Sequence, residues 1–302
     1  MKLRNPEVRI ENTNLCNAHC TICPREKMTR DKTTMPFIYF ANLVDQAKEM
    51  GAETISVFGY GEPFMDKGII EKVAYCTDKG LDTFITTNGS LLTLDKVRPL
   101  LAAGLKQIRF SVHGLFNADY EEIHKGLSFT ETIRNINNFR HVNSARNGNG
   151  CKVGISVIPS HHEDIDSITQ VWEGVDFLEV WKPHNWTDGR DYRKVVQKKK
   201  TCGRPFNGPI QINADGKVMV CCFDYDAKLT VGDVYKDSLE DIVKGKAFDR
   251  IRDKHLSGDL SGLICEHCDQ LNEDDNPLLY SSRDPECKTG KTSSTKFNVE
   301  RV

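Results

Sequence analysis

Val8-Arg9-Ile10, followed by Cys16-Asn17-Ala18-His19-Cys20-Thr21-Ile22-Cys23, is the stretch around which the chain is organised. The apolar alternation of residues 8–10 reads as a strand. The loop behind it sets three thiols at spacings of four and three residues, from which three thiolates can converge. A structural zinc or a fully ligated iron-sulfur cluster takes four protein ligands, so three leave one position open. An open position on a metal centre points to chemistry. A zinc site needs a fourth ligand, and His19 would have to fold back between its own neighbours to supply it. The bland alternative, three reduced cysteines packed as small hydrophobes, sits poorly with a loop whose other residues are mostly polar.

Outward from the loop, short apolar strands alternate with helical periodicities. Strands are expected near residues 54–58, 83–87, 107–112, 153–158 and 177–181, and helices near 36–50, 67–79, 95–103, 129–143 and 165–173. With residues 8–10 this makes six strands, fewer than the eight of a closed barrel. The expected fold class is α/β, a partial (β/α)6 barrel with its active centre at the strand C-terminal ends. Polar and glycine-rich residues fall at those ends. Cys16 to Cys23 follow strand one, Gly59-Tyr60-Gly61-Glu62-Pro63 strand two, Asn88-Gly89-Ser90 strand three, His113 strand four and Lys182-Pro183-His184-Asn185-Trp186 strand six.

The alternation stops near residue 190. Residues 1–190 are expected to form the barrel, and 191–275 a small α+β cluster-binding domain. That domain has a β-hairpin turning at Asp215-Gly216 and a helix over 239–252. The charged run 190–200 reads as a linker or exposed helix, and the polar segment 276–302 as a flexible tail.

Forty-one basic against forty-three acidic side chains give a net charge of −2, so no global charge calls for nucleic acid or an anionic membrane. No apolar run reads as a signal peptide or membrane span, which leaves the cytoplasm as the expected location. Eleven cysteines, an odd number, fit a complete disulfide framework poorly, and clustered cysteines in a reducing compartment indicate metal or redox chemistry. The clusters are Cys16, Cys20 and Cys23 at the front and Cys202, Cys221, Cys222, Cys265 and Cys268 at the back. Cys76, Cys151 and Cys287 stand alone and read as packing or surface thiols.

The Cys-x3-Cys-x2-Cys loop after the first strand resembles the signature of radical S-adenosylmethionine (radical SAM) enzymes. The resemblance implies a 4Fe-4S cluster on Cys16, Cys20 and Cys23 whose unligated iron binds the amino and carboxylate groups of S-adenosylmethionine. It implies that the backbone of Gly59, Tyr60 and Gly61 and the Glu62 carboxylate meet the methionyl ammonium, a charge pair suited to a partly dry pocket. Asn88, Ser111 and His113 would then lie near the cofactor's ribose or carboxylate. Ile22 replaces the aromatic residue usual before the third cysteine and keeps only apolar contact. The rear group, with Cys202, the Gly-x4-Cys of Gly216 and Cys221, and Cys265-Glu266-His267-Cys268, resembles the SPASM/Twitch extension. A full SPASM domain carries further cysteines shortly after, and residues 269–277 hold none. The resemblance therefore implies one auxiliary 4Fe-4S cluster on Cys202, Cys221, Cys265 and Cys268, as in Twitch members that oxidise aminocyclitols. Without the family, the same cysteines read as zinc-ribbon-like. Cys222 reads as a fifth thiol, a hydrogen-atom donor, or a buried neighbour turned away by strand alternation; the last is adopted.

The resemblance implies reductive cleavage of S-adenosylmethionine to a 5′-deoxyadenosyl radical that abstracts a substrate hydrogen atom. With an auxiliary cluster to accept an electron, the expected reaction is a two-electron oxidation of a carbohydrate or aminocyclitol-like small molecule. A flavodoxin or ferredoxin-type donor would supply electrons, His113, His184 or Glu62 is the candidate base, and Arg190 or Arg204 would hold the substrate. One alternative is a peptide-modifying maturase or epimerase, with Cys151, Cys222 or Cys287 as hydrogen-atom donor. Such maturases often carry an N-terminal leader-binding domain; a chain that starts almost at strand one is expected to lack room for it, which lowers that reading and leaves leader binding to a separate protein. The alternative from another class is a non-enzymatic zinc or iron-sulfur module.

Overall fold

Strands form where β-branched and aromatic residues alternate with polar ones, and the alternation decides which side chains meet helices and which meet the lumen. The computed structural model describes residues 2–146, 150–159, 163–196, 199–272 and 277–283. Strands β1 (Glu7–Ile10), β2 (Thr54–Val57), β3 (Asp82–Thr87), β4 (Gln107–Ser111), β5 (Lys152–Val157) and β6 (Phe177–Trp181) run parallel and adjacent in chain order. Between them lie α1 (Phe37–Glu49), α2 (Ile69–Asp78), α3 (Leu94–Ala102), α4 (Asn117–Ile123), α5 (Phe129–Ser144) and α6 (Ile165–Val171). Among these six, each strand pairs with its neighbours in sequence, the order of an open singly wound barrel.

Val8, Ile10, Ile108 and Phe110 point outward into the helix-covered core, fully buried. Their alternates Glu7, Arg9, Gln107, Arg109 and Ser111 line the lumen. The lumen charges are paired, as burial requires: Arg9 with Glu7 at 2.6 Å, and Arg109 with Glu179 at 2.8 Å, to which Arg283 is also bonded.

The remainder comprises α7 (Arg204–Asn207), β7 (Ile210–Ile212), β8 (Lys217–Met219), β9 (Thr230–Asp233), α8 (Leu239–Val243), α9 (Lys246–Ser257) and β10 (Leu278–Ser281). The hairpin β7–β8 forms as expected and gains a third strand. It continues the barrel's own sheet, β7 lying parallel to β1, so the order is β10-β6-β5-β4-β3-β2-β1-β7-β8-β9. The helix expected over 239–252 is two, because Gly245 takes an extended backbone (ψ 153°) and starts α9.

Two expectations need correction. Residues 191–196 are packed rather than a free linker: Asn185 Oδ1 accepts from the Tyr192 and Arg193 amides, and the Arg193 guanidinium forms a buried pair with Asp269 at 2.9 Å. Within the segment expected as a tail, Leu278–Ser281 is strand β10, antiparallel to β6. Residues 284–302 lie outside the described residues. No described helix is long and apolar enough to cross a membrane.

Glu11, immediately past β1 and 3% exposed, joins the parts. Its carboxylate accepts from the Tyr60 amide at 2.8 Å, from the Ala214 amide at 3.0 Å, and from both Arg30 terminal nitrogens at 2.9 and 3.2 Å. Removing it strands a buried guanidinium and two buried amides. Glu11→Ala is therefore expected to lower unfolding stability by about 3–5 kcal/mol, measured by urea titration; a change within about 0.5 kcal/mol, typical of a neutral surface substitution, would contradict this role.

Candidate functional site

At the C-terminal ends of the parallel strands a cavity of about 720 Å³ opens. Cys16, Cys20 and Cys23 line it together with Gly59, Tyr60, Gly61, Glu62, Asn88, Ser111, His113 and His184. The sequence-derived front residues thus meet at one place.

The cysteine loop is held from both sides by backbone bonds. The His19 and Thr21 amides donate to the Lys125 and Ile123 carbonyls at 2.8 and 2.9 Å, and the Glu62 amide donates to the Leu15 carbonyl at 2.8 Å. The last bond forces the Gly-Tyr-Gly turn against the loop: a Cβ on Gly61 would stand 2.1 Å from the Thr13 carbonyl oxygen. Trp186 Nε1 donates to the Ile22 carbonyl at 2.8 Å, and Arg190 donates to the carbonyls of Thr21 and Cys23. Arg190 therefore braces the loop, and its guanidinium is engaged there rather than in the cavity.

Burial raises all three thiols, Cys23 to about 11, with the mutual repulsion of the three groups contributing at Cys20 and Cys23. Three close thiols that resist ionisation on their own suit a cationic group that stabilises their thiolates. Among the described residues no three His, Cys, Asp or Glu side chains converge on a single-ion position. Thiolates that each bind a different iron of one cluster have no need to do so.

Glu62, 2% exposed, accepts from Thr87 Oγ1 at 2.7 Å, the Asn88 amide at 2.8 Å and the Phe64 amide at 3.2 Å. Burial pushes its carboxyl up against these bonds. A carboxylate offers about four acceptor directions, so capacity remains for a cation in the cavity. Asn88 Nδ2 donates to Asn17 Oδ1 at 3.1 Å, and Asn17 Nδ2 to Ser90 Oγ at 2.9 Å, tying the end of β3 to the cysteine loop.

His113 changes role. The Ile158 amide donates to its Nδ1 at 2.9 Å, so the proton of its neutral ring sits on Nε2. Burial, then the neighbouring His124 and Arg109, holds it well below the usual imidazole range. His113 is a hydrogen-bond donor here and lacks a free lone pair for base work. No such bond occupies the His184 ring: its Nδ1 is buried with no hydrogen-bond partner among the described residues. Burial holds His184 down to about 4, leaving it neutral at ordinary pH. It sits among Phe223 (4.8 Å between centroids), Trp186 (5.8 Å) and Trp181 (6.0 Å). Trp186 and Thr187 adopt φ of 51° and 63°, left-handed backbone that bulky residues avoid.

At the rear, Cys202, Cys221, Cys265 and Cys268 line a second, smaller pocket. Burial raises Cys202, Cys265 and Cys268, the last to about 12, and the hydrogen bond with Cys222, then burial, raises Cys221; the four make a closed donor set suited to a fully ligated cluster. Cys222 was expected to be turned away by strand alternation, but residues 221–223 lie in a turn beyond β8. The Cys222 thiol lines the main cavity and accepts from Arg204 Nη1 at 3.0 Å, while Tyr60 Oη donates to its carbonyl at 2.6 Å. Cys76 and Cys151 are buried and line neither pocket, which removes Cys151 as a hydrogen-atom donor. Cys287 lies outside the described residues. The sequence reading missed His124, a cavity-lining residue just past α4. Its local signal is faint, because α4 is a short polar helix without apolar periodicity.

The family model of the radical SAM superfamily matches residues 10–170, and that of SPASM, an iron-sulfur cluster-binding domain, residues 202–269. A GTP 3′,8-cyclase of Desulforamulus reducens is 30% identical over 135 residues, 43% of this chain and 41% of that protein. The matched stretch spans less than half the length of the curated relatives it matches. Among solved structures, BtrN in complex with AdoMet and 2-DOIA is similar with a TM-score of 0.64 at 19% identity, covering 91% of this chain and 95% of that one. Streptococcus suis SuiB bound to its precursor peptide SuiA gives 0.68 at 17%, covering 88% and 70%. At these identities the likeness is one of fold.

The approach at Gly61 supplies a test. Gly61→Ala must displace the Thr13–Leu15 backbone, at an expected cost of about 1–3 kcal/mol in denaturant unfolding; an alanine variant as stable as the parent would show that the turn and loop do not press on each other.

Proposed function

The chain belongs to the radical SAM superfamily, and on that premise we propose that it oxidises a carbohydrate or aminocyclitol-like small molecule by two electrons. The family binds 4Fe-4S clusters and S-adenosylmethionine. We assign Cys16, Cys20 and Cys23 to the front cluster and Cys202, Cys221, Cys265 and Cys268 to the auxiliary one. Gly59, Tyr60, Gly61, Glu62, Asn88, Ser111 and His113 surround S-adenosylmethionine. The barrel comprises residues 1–190 and the auxiliary domain 191–275. When bound, these groups supply a hydrogen-abstracting 5′-deoxyadenosyl radical at the front of the cavity and an electron acceptor at its back.

One observation carries the oxidative reading: Arg204 lines both the main cavity and the four-thiol pocket, so a molecule in the cavity lies one side chain from the auxiliary site. The remaining work falls to the chain's own residues. Arg109 and Glu179, with Arg204, offer hydrogen-bonding partners to hydroxyl or amino groups, and Trp181 offers an apolar face. Trp186, Phe223 and Tyr60 close the cavity against water. His184, which lines the cavity, takes the hydroxyl proton when the alcohol becomes a ketone. A flavodoxin or ferredoxin-type protein in the cytoplasm is the proposed electron donor. The matching rear model is an iron-sulfur domain, which disfavours the zinc-ribbon reading of those cysteines.

Cys222 favours a second reading. A thiol that faces the cavity and is hydrogen-bonded to Arg204 is placed to return a hydrogen atom to a substrate radical, which would make the reaction an epimerisation. Assay of aminocyclitols and sugars in deuterated solvent separates the two. Oxidation yields a product two mass units lighter with no solvent deuterium at carbon, alongside 5′-deoxyadenosine; deuterium at carbon, lost in Cys222→Ala, would replace oxidation with epimerisation.

His184→Ala is expected to lower ketone yield by roughly 100-fold while 5′-deoxyadenosine still forms, read by chromatography of both products; equal loss of both would remove His184 as the base. Its basic form is complete above a pKa of about 4 and is lost as pH falls through that value. The ketone-forming rate is therefore expected to be flat through neutral pH on this group's account, and a rate-pH profile with an acidic limb near 6.5, the free imidazole value, would contradict the assignment.

A further inference from the structure

We infer that His124 is a positioning residue for the front cluster, donating an N–H···S hydrogen bond from Nδ1 to Cys20 Sγ, 3.4 Å away. The inference rests on the assignment of Cys20 as a cluster ligand. The direction of the bond follows from its other end. The backbone amide of His113 can only donate, and it donates to His124 Nε2 at 3.1 Å. A neutral imidazole whose Nε2 accepts carries its proton on Nδ1, the atom that faces the thiol. The relay continues backward, since the His113 ring is itself oriented by the Ile158 amide at its Nδ1, 2.9 Å away.

The position is over-determined. The carbonyls on either side of His124, those of Ile123 and Lys125, accept from the amides on either side of Cys20, those of Thr21 and His19. Two backbone bonds thus hold this imidazole opposite this sulfur. The ring is clamped between Tyr120, 4.3 Å away and inclined by 25°, and His113, 4.9 Å away and inclined by 10°. Tyr120 is in turn pinned through its hydroxyl to Thr132 Oγ1 at 3.0 Å. His124 is 2% exposed, so water does not compete for the bond. Among the described residues Cys16 receives backbone amides, that of Ala18 at 3.5 Å, and Cys20 alone of the three receives a side-chain donor.

A donor to a ligating sulfur stabilises the more negative, reduced cluster and raises its reduction potential. The bond would therefore ease reduction of the cluster by an external electron donor, while making the reduced cluster a milder reductant.

The test is a redox titration of the reconstituted holoenzyme, following the electron paramagnetic resonance signal that changes on adding S-adenosylmethionine. His124→Phe keeps the stacked ring and removes the donor, and its front-cluster midpoint is expected at a more negative potential than the parent's. His124→Asn restores an N–H near the Nδ1 position and is expected to recover part of the shift. Parent and His124→Phe proteins with equal iron content, equal midpoints and equal line shapes would overturn the inference. A second measurement needs no variant: parent protein grown with ¹⁵N-histidine is expected to show a histidine nitrogen hyperfine coupling at the reduced front cluster in pulsed spectra. Absence of that coupling overturns the inference even if His124→Phe fails to hold iron. If the parent shows no signal responsive to S-adenosylmethionine, the assignment of the front site fails first and the inference falls with it.

Discussion

A single buried carboxylate fixes the relation between the two halves of the molecule. Glu11 leaves β1 where the cysteine loop begins, and its two oxygens are divided among the turn after β2, the turn after β7 and Arg30. Gly59 has no side chain because a Cβ there would lie 2.4 Å from Glu11 Cγ. A buried ion pair is weak evidence for net stability, since desolvation offsets much of its attraction. Its value here is geometric: it leaves the strand end, the Gly-Tyr-Gly turn and the rear hairpin one mutual arrangement.

That arrangement brings the rear turn to the front cavity. Tyr60 reaches from the β2 turn to the Cys222 carbonyl, and Trp186 reaches from the segment after β6 to the carbonyl of Ile22 within the cysteine loop. Trp186 and Thr187 hold left-handed backbone, at a cost on the order of 1–3 kcal/mol each, and contacts at both ends of the turn hold them in it. Strain kept at a cavity wall is consistent with a wall whose shape matters to what binds there. The continuous sheet from β10 to β9 makes the same point in backbone terms, because the auxiliary hairpin is an extension of the barrel edge rather than a separate body.

The parts legible in the sequence were those with short-range signatures. Cysteine spacing, glycine turns and strand-helix alternation located the six parallel strands, five of the helices between them and the gathering of the front residues. Long-range relations were hidden. Glu11 is a lone acid in the sequence, and nothing local marks it as the acceptor for residues 49 and 203 positions away. Helix α4 has few apolar residues, so its existence, and with it His124, escaped periodicity. Strand alternation ends with β8 at Met219, so it does not place Cys222, which lies in the turn beyond. His113 stands at a strand end where a base is expected, and only the Ile158 amide at its Nδ1 shows that its lone pair is in use. The polar composition around residue 276 concealed β10, a short strand paired antiparallel to β6.

The central claim is that two separate thiol sets each hold one cluster and that only the front set serves S-adenosylmethionine. Iron and sulfide analysis with Mössbauer spectroscopy, after anaerobic reconstitution, tests it most directly. The measurement compares the parent, a Cys16/Cys20/Cys23→Ala variant and a Cys202/Cys221/Cys265/Cys268→Ala variant. The expected result is about eight iron and eight sulfide per parent chain and about four of each per variant, with perturbation of the spectrum by S-adenosylmethionine lost only in the front variant. A colourless parent that binds zinc, or a front variant whose spectrum still responds to S-adenosylmethionine, would contradict it.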